Sequence, residues 1–315
     1  MKYRLEKTYY ILLYVKGLSM GVADVIPGMS GGSVAFITGI YIEMVHALRS
    51  IDREAFELLT KKRFDDFWKK INGNFLVAVF AGIITSLLTI ARLMTHLQTR
   101  YPILVWSFVF GLILISALLV LRDIKKWNVG IVVAFFCGAL ASYGITLLSP
   151  AQTPASIWFI FLTGLLSVSA LLIPGLSGAF ILLLLGKYQY MVNALISFNF
   201  VVILVFLGGC VAGLIGFSRF LTWTLKNYHN ATVALLTGFM LGSLNKVWPW
   251  REVLEYVTNS RGDQVPAFDR SILPWHYLST TGKDPQVFQA ILMMAISVFI
   301  VVLFVKIAAR LKTKI

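Results

Sequence analysis

Acidic residues, cysteines and histidines are scarce in this sequence of 315 residues, and each scarcity argues against a class of function. Only 14 acidic residues stand against 28 lysines and arginines, and the first glycine-rich segment has no paired glutamates for general acid–base chemistry. The two cysteines lie inside apolar runs and are interpreted as inert packing residues. The four histidines lack the spacing of a zinc site, so no metal is predicted.

Sequence motifs of ATPases and hydrolases are also missing. The chain has no Walker motif, nucleophile elbow or His-Glu-x-x-His sequence. We therefore predict neither catalytic residues nor a cofactor. The N-terminal apolar stretch continues into a glycine-rich motif instead of a small-residue cleavage site, which argues against a cleavable signal peptide.

What the sequence does contain is apolar residues. They make up 58% of the chain, charged residues make up 13%, and the mean hydropathy is +0.81, far from the soluble average. Several apolar runs reach the roughly 20 residues of a spanning helix, which predicts an all-α polytopic membrane protein. The net charge of +14 then indicates cytoplasmic loops near anionic lipid, and no nucleic-acid partner is predicted.

A glycine-rich motif occurs twice. Seven matched pairs differ by 147 positions: Gly17 and Gly164, Pro27 and Pro174, Gly28 and Gly175, Ser30 and Ser177, Gly31 and Gly178, Gly39 and Gly186, Tyr41 and Tyr188. Five later pairs differ by 127 positions: Gly82 and Gly209, Arg92 and Arg219, Tyr101 and Tyr228, Gly111 and Gly238, Ser116 and Ser243. The offset changes by 20 positions across a basic insert in the first half, so the sequence predicts a tandem duplication with halves 1–148 and 149–315.

Each half is predicted to contain a broken helical hairpin and three spanning helices. The hairpin arms cover about 9–26 and 30–48, then 157–173 and 176–196, and the spans cover about 74–96, 102–121, 129–148, 199–225, 231–247 and 286–309. The basic insert 49–72 is interpreted as an amphipathic interfacial helix or helix pair. The segment 248–285 is expected outside the cytoplasm, as a lid or merely a loop.

The number of crossings in each half is odd, so the second repeat must be inverted relative to the first. With the N-terminus inside, the predicted cytoplasmic segments hold 19 lysines and arginines, whereas the external segments hold 5. This asymmetry predicts a multi-pass protein with both termini in the cytoplasm.

Proline and glycine break a helix, and such a break is tolerated in a membrane only where it is buried in protein or lines a wet cavity. Paired breaks in matching places of two halves point to a transporter's binding site. The N–H groups and hydroxyls that follow each break would suit an anion, most naturally a phosphate. These candidate residues are Gly28, Ser30, Gly31, Gly32 and Ser33 in the first hairpin, and Gly175, Ser177 and Gly178 in the second. The alternative is that the glycines only allow close helix packing.

Three charged residues inside predicted membrane segments are functional candidates. Arg92 and Arg219 are matched, and each could capture a phosphate arriving from its own side through bidentate hydrogen bonds; the alternative is snorkelling to lipid headgroups. Asp24 has no matched acid. It could bind Na⁺ or H⁺ and couple a gradient to transport, or it could cap a helix or pair with an arginine.

The segment Gly21–Ser33 with Gly39-Ile-Tyr41, and the segment Leu172–Gly178 with Tyr188, closely resemble the two signatures of the bacterial undecaprenyl phosphate translocases of the PopT type. Phe217-Ser-Arg-Phe220 and Trp248-Pro-Trp250 are also similar. Ser33, where threonine is common, and Ala179, in place of a second glycine, are small departures. The resemblance implies an inverted-repeat fold with re-entrant hairpins, and return of undecaprenyl phosphate from the outer to the inner leaflet of the cytoplasmic membrane for envelope synthesis.

Two other classes remain as alternatives, a small-anion transporter or channel and an undecaprenyl pyrophosphate phosphatase. The phosphatases also have a Pro-Gly-x-Ser element, but theirs continues into arginine. Here glycine follows both serines, at Gly31 and Gly178, so hydrolysis is poorly supported. The sequence leaves a homodimer and the identity of a coupling ion open.

Overall fold

A computed structural model describes residues 2–25, 31–89, 91–122, 124, 126–151, 153–258 and 264–312. Within these ranges, the side chains at 2–8, 25, 37, 91, 92, 94, 95, 255–258, 264–268 and 304–312 are not described. Gly28 and Ser30 lie outside the described residues, and so does the side chain of Arg92.

Helices account for most of the described chain. The α-helices are α1 (Lys2–Val25), α2 (Gly31–Ile37), α3 (Tyr41–Arg49), α4 (Arg53–Thr60), α5 (Phe64–Lys70), α6 (Gly73–Thr89), α7 (Ala91–Arg100), α8 (Pro102–Leu121), α9 (Val129–Leu147), α10 (Ile157–Leu172), α11 (Gly178–Leu184), α12 (Tyr188–Ile196), α13 (Phe200–Asn227), α14 (His229–Gly242), α15 (Pro274–Thr281) and α16 (Val287–Lys312). Two strands, β1 (Arg251–Thr258) and β2 (Gln264–Ser271), form an antiparallel pair in which Arg251 lies opposite Ser271.

Local sequence explains where several helices begin. The side chain of Asp52 accepts a hydrogen bond from the backbone N–H of Ala55 at 2.9 Å and so caps α4. Asn128 caps α9 and Asn199 caps α13 in the same manner. Pro102 occupies the first turn of α8, where its missing N–H is not needed.

The chain forms two compact units. One contains Met1–Met94 and Pro150–Thr232, and the other contains Thr95–Ser149 and Val233–Ile315. Each unit therefore takes segments from both halves of the predicted duplication. The first unit holds the hairpin segments, and the second holds α8, α9, α15, α16 and the β-hairpin.

In the first unit, the two halves make matching helix contacts. A Cβ atom on Gly17 of α1 would lie 2.2 Å from the carbonyl oxygen of Val79 in α6, and one on Gly164 of α10 would lie 2.2 Å from that of Phe206 in α13. Val79 and Phe206 are related by the offset of 127. Only glycine lets backbones approach this closely.

The second unit has a matching relation of its own. A Cβ on Gly111 of α8 would lie 2.7 Å from the carbonyl oxygen of Met294 in α16, and one on its partner Gly238 in α14 would lie 2.1 Å from that of Phe135 in α9. The second predicted spanning helix of each half, α8 or α14, therefore packs on the last spanning helix of the other half, α16 or α9. Each of these two contacts therefore joins one helix from the first half to one helix from the second half.

Four of the predicted spanning segments correspond to helices with similar bounds, namely α8, α9, α13 and α16. The span predicted for 74–96 instead covers α6 and part of α7, and the span predicted for 231–247 corresponds to α14, which ends at Gly242. Among the described residues, α8, α9 and α13 are each long and apolar enough to cross a membrane. Two further candidates are bent helix pairs: α5 with α6, at 69°, and α11 with α12, at 105°. The basic insert forms the short helices α4 and α5, in which Lys70 pairs with Asp52 at 3.1 Å and also with Glu54.

Two expectations need correction. The second arm of each hairpin was predicted as one helix, but each ends early at a glycine with a left-handed backbone, Gly39 (φ +73°) and Gly186 (φ +62°). Glycine adopts this conformation without a steric penalty, so a second helix starts after each turn. The all-α expectation is also incomplete, because segment 248–285 contains the β-hairpin and α15.

Candidate functional site

The two glycine-rich breaks are in direct contact. The backbone N–H of Gly175, in the second break, donates a hydrogen bond of 2.8 Å to the hydroxyl oxygen of Ser33, in the first turn of α2. Ser33 is completely buried. A buried N–H without an acceptor would be costly, so this bond helps to hold the two breaks together although the residues lie 142 positions apart.

Tyr41 makes a second link between the same two regions. Its hydroxyl donates to the carbonyl oxygen of Leu172 at 2.5 Å, immediately before the second break. Its ring packs edge-to-face against Phe36 at 5.0 Å and is almost fully buried. The end of α10 is thereby tied to the start of α3.

At the first break, an acid already occupies the beginning of α2. The carboxylate of Asp24 accepts a hydrogen bond of 2.6 Å from the backbone N–H of Gly31. A Cβ on Gly31 would lie 2.7 Å from the other carboxylate oxygen, so glycine is needed for this approach. This geometry is that of the capping alternative raised from the sequence.

The second break has a different composition. Gly175 has a left-handed backbone (φ +94°), and Ser177 precedes α11 without forming a side-chain cap. A Cβ on Gly178 would lie 2.7 Å from the carbonyl oxygen of Ser167 in α10. Leu171 stands at the position that matches Asp24, so this break lacks the matched carboxylate.

Lys187 is a residue whose position sequence reasoning missed. A lysine near the end of a membrane segment usually snorkels to lipid headgroups, yet only 5% of Lys187 is exposed. Its ammonium donates to the carbonyl oxygen of Thr153 at 2.6 Å and lies 5.8 Å and 5.6 Å from the ring centroids of Phe159 and Tyr190. Tyr190, three residues away, was the available signal in the sequence, because ring faces attract cations.

Of the two candidate arginines, only Arg219 has a described side chain. Arg219 lies on α13 and is exposed. Among the described residues, no hydrogen bond or ion pair is seen between its guanidinium and a hairpin residue. The side chain of Arg92 lies outside the described residues, so the capture of a phosphate by each arginine from its own side of the membrane stays a prediction.

The first unit thus brings together backbone N–H groups, serine hydroxyls and one carboxylate, with the N–H groups of Gly31 and Gly175 bonded to Asp24 and Ser33. Such groups suit the polar part of a ligand rather than its apolar part. A mostly helical chain with several apolar helices and bent helix pairs, joined at such breaks, has the features of a membrane transporter.

Comparison with known proteins identifies the family. Residues 20–265 match the model of the VCA0040-like family, described as undecaprenyl phosphate translocase-like. The chain is 40% identical over 292 residues to a polyprenyl-phosphate transporter of Vibrio cholerae serotype O1, covering 93% of this chain and 95% of that one. It is 27% identical over 254 residues to a polyprenyl-phosphate transporter of Staphylococcus aureus, covering 75% and 85%. No solved structure matches. The chain belongs to the undecaprenyl phosphate translocase-like family.

Proposed function

We propose that this protein carries undecaprenyl phosphate from the outer to the inner leaflet of the bacterial cytoplasmic membrane, for reuse in envelope polymer synthesis. The observation that carries the proposal is the hydrogen bond from the Gly175 N–H to Ser33, which joins the two glycine-rich breaks. Paired broken helices in matching halves are where transporters bind their substrates. Membership of the family supports this choice of lipid.

The proposed architecture is a pair of inverted repeats, each with a re-entrant hairpin and three transmembrane helices, and both termini in the cytoplasm. The matching glycine contacts of the two halves support the duplication. The excess of lysine and arginine in the predicted cytoplasmic segments supports the orientation. Inversion would let the two hairpins enter from opposite sides, which suits alternating access to one site.

We propose that the phosphate is held by backbone N–H groups and hydroxyls at the two breaks. The proposed ligands are Gly28, Ser30, Gly31, Gly32, Ser33, Gly175, Ser177 and Gly178. The contact between Ser33 and Gly175 supports a shared site. Arg92 and Arg219 would capture the phosphate on either side of the membrane, and the exposure of Arg219 would leave its guanidinium accessible for a bidentate contact.

Asp24 suggests how transport could be coupled to an ion. Its carboxylate accepts from Gly31, one of the N–H groups proposed for the phosphate. A phosphate that took this N–H would bring a second anion against Asp24, and like charges in a site of low dielectric repel strongly. Uptake of H⁺ or Na⁺ by Asp24 would remove that repulsion, so ion binding and phosphate binding would occur together.

The polyprenyl chain is expected to stay in the bilayer while the phosphate crosses. At about 0.8 kcal/mol for each CH₂ moved from lipid to a polar environment, the carrier's 55 carbons would be too costly to pass through a polar cavity. A site at the hairpin breaks therefore needs to accommodate only the headgroup.

The proposal can be tested in proteoliposomes that contain undecaprenyl phosphate. An impermeant phosphatase added outside hydrolyses only the outer-leaflet pool, so the rate at which the inner pool becomes accessible reports translocation. We expect the purified protein to accelerate this rate. The acceleration by the Arg92→Ala/Arg219→Ala double variant should be at least tenfold smaller, because each guanidinium would make charge-assisted hydrogen bonds to the phosphate.

A double variant of two other cations is the matched control. Arg100→Ala and Lys226→Ala alter exposed residues near the ends of α7 and α13, the helices that carry the two tested arginines. These substitutions should leave the translocation rate within about twofold of wild type, since surface changes of this kind usually have small effects. No acceleration by the wild-type protein would refute the proposal.

Two alternatives give different signals in the same preparation. A small-anion channel would produce ion currents across a planar bilayer without moving the lipid. A phosphatase would release inorganic phosphate from undecaprenyl pyrophosphate. Neither signal is expected.

A further inference from the structure

The second unit contains a cavity that the hairpin site does not use. It lies where the end of α14 meets β2 and α15, and its volume is about 620 Å³. Residues of α8 and α9 complete its wall. In the proposed orientation this end of α14 faces the outer side of the membrane, where the lipid would be collected.

The wall of the cavity is mainly apolar and aromatic. Trp248 packs edge-to-face against Phe110, with ring centroids 5.4 Å apart. Its indole N–H donates to the carbonyl oxygen of Ile272 at 2.8 Å. Because the polar atom of Trp248 is already bonded, the ring serves the cavity as a fixed apolar wall. Leu241 and Leu273 extend this apolar lining.

Cationic and polar side chains also line the cavity. Arg270 and His276 both contribute to it and are exposed. Arg270 donates its Nε–H to Glu252 at 2.7 Å, and its two terminal amino groups carry the other four N–H donors of the guanidinium. A planar fork of this kind suits a phosphate.

Neighbouring ion pairs leave this region with a positive balance. Asp269 is bonded by Arg251 at 2.7 Å and by Lys246 at 3.0 Å. Burial would raise the pKa of the Asp269 carboxyl, but hydrogen bonds and charge from these two cations hold it below its ordinary value. With Arg270 and Glu252 added, three cations face two anions, which favours an anionic ligand.

The size of the cavity fits a short amphiphile. At about 30 Å³ for each water-sized group, the volume has room for roughly twenty non-hydrogen atoms. Three isoprene units with a phosphate have about that size. An apolar wall next to a guanidinium matches an isoprenoid chain that ends in a phosphate monoester, whose charge of about −1.5 to −2 at pH 7 exceeds that of a phosphodiester lipid.

We propose that this cavity binds the phosphate of a prenyl phosphate together with its first isoprene units, with Arg270 and His276 at the phosphate and Trp248 along the chain. The proposal rests on the proposed function and adds a binding position separate from the hairpin breaks. It provides recognition of the isoprenoid itself, which backbone N–H groups at the breaks do not offer.

A photoreactive farnesyl phosphate tests this inference with the full-length protein in nanodiscs of phosphatidylcholine. After irradiation, mass spectrometry locates the label, so the cavity and the hairpin breaks give separate signals. We expect labelling of the segment 272–276, reduced by excess farnesyl phosphate but not by excess farnesol or inorganic phosphate. Equal competition by a short-chain phosphatidic acid would overturn the assignment to an isoprenoid.

Two variants and a matched control sharpen the test. Arg270→Gln removes the guanidinium, and Leu273→Trp fills the cavity from an exposed position. Arg270→Gln should reduce labelling of 272–276 about tenfold or more, the expected loss for a charge-assisted hydrogen bond. Leu273→Trp should reduce it by a similar factor, because the larger ring takes up space that the ligand would occupy. Lys283→Gln changes an exposed cation of segment 248–285 that does not line the cavity. This substitution should change labelling less than twofold.

The outcomes separate the two proposals. Labelling confined to the hairpin breaks, or unchanged by Arg270→Gln and Leu273→Trp, would overturn the cavity assignment and leave the proposed function intact. Absence of label from both places, together with no translocation of undecaprenyl phosphate, would overturn both.

Discussion

At the first hairpin break an acid accepts a backbone N–H, whereas leucine occupies the matched position of the second. Asp24 bonds Gly31, and Leu171 stands 147 positions later. The reverse holds further along, where Ile40 in the first half matches the buried Lys187 in the second. The two halves of the predicted duplication therefore differ chemically at these matched positions.

Their helix packing, in contrast, has remained equal. Gly82 and Gly209 each lie against the first arm of the hairpin in their own half. A Cβ on Gly82 would lie 2.2 Å from the carbonyl oxygen of Tyr14, and a Cβ on Gly209 would lie 2.0 Å from that of Phe161. Tyr14 and Phe161 are again 147 positions apart. Close backbone contact tolerates only glycine, while a break exposed to a ligand can acquire new side chains. The close helix contacts are thus found in both halves, whereas the charged side chains near the breaks differ between the halves.

The largest effect on stability is expected at the close helix contacts of Gly82 and Gly209, which occur in both halves. Gly82→Ala and Gly209→Ala should each lower the free energy of unfolding by about 3 kcal/mol, because the added methyl group forces two backbones apart. Gly216→Ala is the control, since it lies in the same helix as Gly209 with open space around it, and it should be neutral or slightly stabilising. Thermal unfolding in detergent measures all three. A large loss from only one of the matched pair would show that the scaffold is not shared.

The next effect concerns the contact between the breaks. Ser33→Ala removes the acceptor of the Gly175 N–H and should cost about 2 kcal/mol, the penalty for a buried donor without a partner. Ser19→Ala provides the comparison, because Ser19 is exposed on α1 and bonds the carbonyl oxygen of Val15 in its own helix. The same unfolding measurement applies. Equal stability of the two variants would mean that the breaks are not held together by Ser33.

The role of Asp24, which has no matching acid in the second half, is tested by Asp24→Asn. Asparagine keeps an oxygen that can accept from the Gly31 N–H, but it has no carboxylate to bind H⁺ or Na⁺. In the translocation assay we expect imposed H⁺ or Na⁺ gradients to change the wild-type rate about tenfold and the variant's rate hardly at all, since a tenfold change corresponds to only about 1.4 kcal/mol of coupling. Glu57→Gln, at an acid exposed on α4, should retain the response. A variant with full gradient dependence would remove Asp24 from the coupling mechanism.

The smallest effect distinguishes the matched tyrosines. Tyr41→Phe loses the bond to Leu172 and should lower the free energy of unfolding by about 1 kcal/mol. Tyr188 is exposed, so Tyr188→Phe should stay within about 0.5 kcal/mol of wild type. Chemical denaturation can resolve this difference. Equal losses would indicate that both tyrosines anchor their hairpins alike.

Much of the fold could be predicted from residues that act locally. Apolar runs gave the bounds of α8, α9 and α13 to within about two residues, and the repeated glycines marked both breaks. The turns at Gly39 and Gly186 were missed although both glycines were recognised as a matched pair, because a left-handed backbone can only be suspected from residue type. The strands β1 and β2 were missed because neither alternates strictly between polar and apolar residues, so the segment was treated as a lid or a loop.

By itself, the sequence determined that the chain is apolar and mostly helical, and it predicted a duplication, because hydropathy and offset are properties of the linear order of residues. Only the tertiary structure decided that Gly175 donates to Ser33, that Asp24 occupies the N–H of Gly31, and that Lys187 is buried between two rings. Hydrogen bonds and burial depend on distances of a few ångströms between residues far apart in the chain, and such distances exist only after the helices have packed.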